Sequence, residues 1–207
     1  MKIQVNRVEK KKNKTTILLS TDEEIEIPNE IYLKYLFREG DLLSEKEKDK
    51  FIYDIEIYKI RQSAFRYLSG RNHSKFELKV KLLRKGYNKD LIEIILEELI
   101  KDNLLNDYAF TQNFFEIKLK RNIGINKIKS QLIKKGLSRS IIEEIAKDYY
   151  DSPSLIDSAF KLMSKKYKAL KNCNIEDKKI RQKIYFSLVN KGYPREIILE
   201  SFRKMKL

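Results

Sequence analysis

A chain of 207 residues with a formal net charge of +15 can form one large domain or a row of small ones. At 42% hydrophobic it can bury a core, and 36% charged residues with only six glycines and three prolines fit helices better than loops. Cys173 is the only cysteine, which excludes an internal disulfide framework; nothing reads as a secretory leader or an apolar run of about 18 residues, so we expect a monomeric, cytoplasmic protein with no membrane partner.

The first 27 residues read as short strands. Ile3, Val5 and Val8 alternate with polar residues, as in a half-buried strand. Lys10–Lys14 is a charged turn, and Thr16–Leu19 and Ile25–Ile27 give two more strands around Asp22 and Glu23. So small a sheet needs helices to pack on. Pro28 suits a helix start, and Ile31, Leu33, Tyr35, Leu36 and Phe37 suggest a short helix stopping near Gly40. Ser44-Glu45-Lys46-Glu47 is a capping box. It opens a helical stretch to Gly70, and the pattern allows either one helix or two.

From there the chain repeats itself. Leu82-Leu83-Arg84-Lys85-Gly86-Tyr87 returns as Leu132-Ile133-Lys134-Lys135-Gly136-Leu137 and as Leu188-Val189-Asn190-Lys191-Gly192-Tyr193. Leu78, Ile128 and Ile184 stand at one fixed spacing before the glycines, and Leu91-Ile92, Ile141-Ile142 and Ile197-Ile198 at another after them. Apolar residues so spaced share a helix face, and a left-handed glycine ends that helix. Ser74, Asn88, either Asn106 or Asp107, Ser138 and Ser152-Pro153 read as helix starts, and Asn122–Asn126 and Asn172–Asn174 as breaks. Counting the helix before each glycine-ended one gives three helices per repeat of about 45 to 55 residues. The predicted fold is mainly α: tandem three-helix repeats in an elongated array behind a small N-terminal β-hairpin or sheet. The expected divisions are 1–57, 58–105, 106–151 and 152–207.

Charge follows the repeats. The middle helices carry Lys75, Lys79, Lys81, Arg84 and Lys85, then Lys127, Lys129, Lys134 and Lys135, then Lys178, Lys179, Arg181, Lys183 and Lys191. The third helices collect Glu93, Glu97, Glu98, Glu143, Glu144, Glu196 and Glu200. Helix dipoles explain the lysines near the glycines, but not those at the start of the middle helices. Repeats stacked in register would line up one basic side, suited to phosphates held by point charge without base readout. The candidate contact residues are Lys79, Lys81, Arg84, Lys85, Lys127, Lys129, Lys134, Lys135, Lys179, Arg181 and Lys183. Tyr67, Tyr87, Tyr167, Tyr185 and Tyr193 interleave with them, at positions that favour burial between helices over base stacking. Lysine-rich composition also follows from AT-rich coding, which the many Asn, Ile and Lys residues fit.

Catalysis finds little support. His73 is the only histidine and has no second histidine for a triad or metal pair. Cys173 sits between two asparagines, and no glycine-rich phosphate loop is present. Glu97 and Glu98 are adjacent and point different ways on a helix. The reading is a protein that is no enzyme, with no cofactor and no metal.

Ala64-Phe65-Arg66-Tyr67-Leu68-Ser69, then Arg71, Ser74, Glu77-Leu78, Leu82 and Lys85-Gly86-Tyr87, followed by Leu105-Asn106-Asp107, Phe110 and Lys135-Gly136, resemble the RecX family. These are regulatory proteins that modulate the bacterial RecA recombinase. The likeness runs from about residue 58 to the end, and the N-terminal strands are similar to an extension of some members. Thr111 departs from the family's alanine after the aromatic residue. The resemblance implies a tandem three-helix-repeat protein that binds in the groove of the RecA–single-stranded DNA filament and hinders growth, ATP hydrolysis and strand exchange. It carries over no catalytic residue. The competing reading is a RecA-independent DNA-binding protein of helix-turn-helix type, which also reaches duplex DNA. Acidic third helices argue against that, because they would be the recognition helices.

Overall fold

The structure, a computed structural model, describes residues 2–150, 152–171 and 176–205. The predicted loop at Asn172–Asn174, with Cys173, lies outside them. Four strands, β1 (Lys2–Lys10), β2 (Lys14–Leu19), β3 (Glu24–Pro28) and β4 (Leu42–Ser44), form one antiparallel sheet in the order β3-β2-β1-β4. The first three are the predicted ones. β4 is additional: Leu43 pairs with Ile3 at the sheet edge. A three-residue strand has no room for a periodic signal.

Helix α1 (Asn29–Tyr35) begins after Pro28 and ends sooner than its apolar residues suggest. Leu36 takes a left-handed conformation, φ 52°, and its amide closes on the Tyr32 carbonyl. Phe37 therefore leaves the helix and stacks with Tyr35, centroids 5.3 Å apart, edge-on to Phe51 at 4.9 Å. The Tyr32 hydroxyl donates to the Phe37 carbonyl at 2.8 Å. These aromatics join Ile3, Val5, Ile17, Leu19, Ile27, Leu43 and Ile55 in one apolar cluster. Helix α2 (Glu45–Gly70) is a single 26-residue helix, which resolves the choice between one and two. Its capping box is complete: Ser44 Oγ accepts from the Glu47 amide and the Glu47 side chain accepts from the Ser44 amide.

The remaining helices are α3 (Lys75–Leu83), α4 (Lys89–Lys101), α5 (Asp107–Lys120), α6 (Ile125–Lys134), α7 (Arg139–Tyr150), α8 (Pro153–Lys171), α9 (Asp177–Lys191) and α10 (Arg195–Met205). Several starts follow the caps read in the sequence, whereas α6 begins at Ile125, inside the expected break Asn122–Asn126, with Gly124 before it, and α9 begins after Glu176. Asn88 Oδ1 accepts from the Asp90 and Leu91 amides, and Ser138 Oγ from Ile141. Of the two candidates at α5, Asn106 is the cap, accepting from Ala109. Asp107 serves a different helix: its Oδ1 accepts from the Lys75 amide at 2.8 Å, at the start of α3. Thr111 is fully buried, and its hydroxyl donates to the Asp107 carbonyl at 2.7 Å, so the extra oxygen is satisfied.

The chain forms two compact units. One comprises Met1–Arg71 and Leu78–Asp102, the other Asn72–Glu77 and Asn103–Leu207. In the second, residues from α5 to α10 share one apolar core that includes Phe115, Ile128, Leu132, Met163, Ile184, Leu188, Ile198 and Phe202.

Gly86, Gly136 and Gly192 all have positive φ, 82°, 77° and 87°. In the second unit two of these turns have a further role: a new helix begins on each. The Gly124 and Asn126 amides, at the start of α6, donate to the Lys191 and Gly192 carbonyls, both at 2.9 Å. A Cβ on Gly124 would overlap the Gly192–Tyr193 backbone, and one on Gly192 would overlap Lys127. Likewise Ser74 Oγ, at the start of α3, donates to the Lys135 carbonyl at 2.7 Å, and a Cβ on Gly136 would overlap Phe76. Donors at one helix start, N–H groups at α6 and the Ser74 hydroxyl at α3, thus meet the end carbonyls of another helix, with dipoles in favourable order.

Candidate functional site

The basic residues of the middle helices sort into two sets. Lys79 pairs with Glu93 and Lys129 with Glu143, the latter at 2.6 Å. Each lysine stands seven residues before a glycine turn and its glutamate seven after it. Positions equidistant from a tight turn face each other on antiparallel neighbours, so the basic middle helix and the acidic third helix partly neutralise one another. That symmetry about the turn is the signal that finds these pairs. The third repeat has Tyr185 and Leu199 at the same two places. Burial pulls Lys129 down, but the hydrogen bonds it donates to Glu143 and Tyr150 outweigh it and hold the amine above the ordinary lysine range. Lys135 pairs with Glu77 and lies over the Phe114 ring at 5.6 Å.

Lys81, Arg84, Lys127, Lys134 and Lys183 have no ion-pair partner among the described residues. Lys81 sits 4.5 Å over the Tyr67 ring and Lys85 5.3 Å from the same ring, while Lys85 Nζ also donates to Ser63 Oγ at 3.1 Å. Arg181 stacks over Phe202 at 5.1 Å, and Lys179 lies 3.7 Å from Glu176 at the start of its own helix. In the first unit the set therefore leaves Lys81 and Arg84 outward; in the second it leaves Lys127 and Lys134, and Lys183 on α9. Lysines of α8 extend the second group: Lys165 and Lys166 flank a groove of about 330 Å³ with Lys191, floored by Leu162, Met163, Ile184 and Leu188. The sequence pattern alone assigns the basic side to the middle helices and misses them.

The tyrosines are mainly packing residues. Tyr193 is 2% exposed and its hydroxyl bonds Ser158 at 2.7 Å; Tyr87 bonds Ser63 at 2.9 Å. Tyr67, under Lys81 and Lys85, is half-buried. His73 is buried beside Ser74. Among the described residues no group of three or more His, Cys, Asp or Glu could hold a metal ion, and no helix is long and apolar enough to cross a membrane.

The family described as "RecX, first three-helix domain" matches residues 61–99, from the last part of α2 through α3 into α4. The chain is 43% identical over 58 residues to "Regulatory protein RecX" of Chlorobium limicola, covering 28% of this chain and only 36% of that relative. It is similar over a longer span to "Regulatory protein RecX" of Clostridium perfringens: 32% identical over 164 residues, 79% of this chain and 76% of that one. The fold is similar to that in "Crystal structure of regulatory protein RecX", with TM-score 0.73, 20% identity and coverage of 96% and 99%. A third of the residues retained over three quarters of both chains is common descent, and the chain belongs to the RecX family of regulatory proteins.

Proposed function

We propose that this chain binds the RecA–single-stranded DNA filament and modulates it, mainly by hindering filament growth, ATP hydrolysis and strand exchange, in DNA repair and recombination. The observation that carries this reading, beside family membership, is the set of outward cations that internal ion pairs leave over: Lys81, Arg84, Lys127, Lys134 and Lys183. Three repeats at 58–105, 106–151 and 152–207 give successive contacts, bridging neighbouring RecA protomers while the cations approach DNA phosphates or acidic protein surface. Lys79, Lys129 and Lys135, held by carboxylates, shape the helices that carry these cations. Lys85, Lys179 and Arg181 stand at the margins of the same set.

Co-sedimentation with RecA filaments on single-stranded DNA, with an ATPase readout, tests the proposal. Wild-type protein should co-sediment and slow ATP hydrolysis. Charge reversal at Lys81, Arg84, Lys127 and Lys134 together should weaken both effects and flatten the salt dependence, by about 0.7 logarithmic units for each phosphate no longer neutralised. Unchanged inhibition and salt slope in that variant would remove the cations from the mechanism. Sequence-preferring duplex binding in the absence of RecA, with no effect on filaments, would favour the helix-turn-helix reading instead.

A further inference from the structure

Two of the three lysine–glycine turns are occupied, and in both cases by the first turn of a helix. The start of α6 sits on Gly192 and the start of α3 on Gly136. The arriving helix begins with a residue that is small or hydroxylic, Gly124 or Ser74, and gives an N–H or O–H to the carbonyls of the turn. A side chain from its first turn, Lys127 or Phe76, then lies where a Cβ would stand on the glycine. Only a glycine leaves that space while also taking the left-handed conformation.

The third turn has the same parts and no occupant among the described residues. Gly86 has φ 82° and is exposed, with nothing within 4 Å of its Cβ position. The Lys85 and Gly86 carbonyls receive no donor among the described residues. Its surroundings are nevertheless held in place. Lys85 is fixed by Ser63 and Tyr67, Tyr87 by Ser63, and the Asn88 amide donates to Glu56 at 3.3 Å. The turn is thus a shaped acceptor on exposed residues, with carbonyls that no donor of the described chain takes up at the negative end of a helix dipole.

We propose that the Gly86 turn docks the beginning of a helix from the protein partner. That helix starts with a small or hydroxylic residue, directs its first donors at the Lys85 and Gly86 carbonyls, and lays a first-turn side chain over Gly86. A second copy of this chain suits the turn less well. Twelve residues before Gly192, where the other repeats have Ser74 and Gly124, stands Ile180, buried inside the longer α9.

The proposal rests on filament binding, and Gly86→Asn separates the two. Asparagine tolerates positive φ, and its Cβ meets nothing in the chain itself, so the melting temperature should stay within about 4 °C of wild type. In co-sedimentation with RecA filaments on single-stranded DNA, the apparent Kd should rise about tenfold. Gly70→Ala, a Cβ added in open space at the end of α2, should bind as wild type does. If wild-type protein fails to co-sediment, both proposals fall. Should wild type and Gly86→Asn bind equally, the dock is refuted and filament binding stands. Concentration-dependent self-association in ultracentrifugation that Gly86→Asn abolishes would assign the turn to a second copy and overturn the assignment to a partner.

Discussion

The sheet-bearing start of the chain and its helical remainder are built on different principles. Residues 1–57 carry 11 Lys and Arg against 13 Asp and Glu, whereas the residues after them carry 34 against 17. The excess positive charge therefore belongs wholly to the helical part. The start closes its backbone by pairing strands and covers the sheet with aromatic and aliphatic side chains. In the second unit, helix ends are joined to helix ends through glycines, main chain on main chain at Gly124 and Gly192 and side chain on main chain at Gly136. Apolar clusters tolerate small changes of volume, and backbone joints do not. The helical part is therefore most brittle at its glycine joints, and the open joint at Gly86 stands out against them.

The largest expected effect comes from breaking a joint. Gly124 has an ordinary φ of -74°, so alanine there suffers no conformational strain. Its methyl would nevertheless overlap the Gly192 and Tyr193 backbone, which cannot swing aside as a side chain can. Gly124→Ala should cost about 3 kcal/mol in urea unfolding. Gly70→Ala, with nothing within 4 Å, should be neutral or stabilising by up to about 1 kcal/mol. Equal effects in the two variants would mean that the joint carries no special load.

Much of this was legible in the sequence, and what was not has physical reasons. The apolar spacing before each glycine gives the middle helices, and a helix-ending glycine requires positive φ, as Gly86, Gly136 and Gly192 show. That Gly136 and Gly192 also touch another helix, while Gly86 touches none among the described residues, is a non-local fact, invisible to local spacing. Leu36 misled for a related reason: an apolar residue in helical register carries no sign that it will cap the helix with φ 52°. Among the candidate cations, composition shows the segregation of lysines and glutamates. Spacing of seven residues either side of the glycine, which composition does not show, is what sets Lys79 and Lys129 against Glu93 and Glu143, whereas Lys127 and Lys134 have no ion-pair partner among the described residues.

A smaller effect compares one tyrosine from each region. Tyr193 is buried in the helical core, and burial raises its phenol despite the lowering bond to Ser158. Tyr35, in the aromatic cluster at the start, is pushed up to about 12, by burial first and then by its hydrogen bond to the Asp54 carboxylate. In both cases the folded state keeps the proton longer than the unfolded chain, whose phenols ionise near about 10. The stability tied to these phenols is therefore complete below about pH 10 and is lost as pH rises toward the folded values. Tyr193→Phe and Tyr35→Phe should each move the midpoint of alkaline unfolding upward; an unmoved midpoint would show that ionisation of these phenols is not linked to unfolding. At neutral pH the Ser158–Tyr193 bond behaves asymmetrically. Ser158→Ala strands a buried phenol and should cost about 2 kcal/mol. After Tyr193→Phe, Ser158 still donates to the Leu155 carbonyl at 3.0 Å, so its hydroxyl is not stranded.

The smallest effect concerns the ion pairs of the helical part, and here the chain supplies its own control. Lys79–Glu93 and Lys129–Glu143 occupy equivalent places in two repeats, and the third puts Tyr185 and Leu199 there. Partly exposed pairs of this kind contribute about 0.2 to 1 kcal/mol. A double-mutant cycle with Lys129→Ala and Glu143→Ala should give a coupling energy in that range, shrinking as salt is added. The repeat that already lacks a charged pair shows that the helices can meet without it, so replacing both residues by their third-repeat counterparts, Lys129→Tyr with Glu143→Leu, should leave stability within about 1 kcal/mol of wild type. Because the pair is electrically neutral, its removal should also leave the salt dependence of filament binding where it was. A coupling energy well above that range, or a salt slope that drops with the neutral pair, would mean that Lys129 belongs with the outward cations rather than with the residues that hold two helices together.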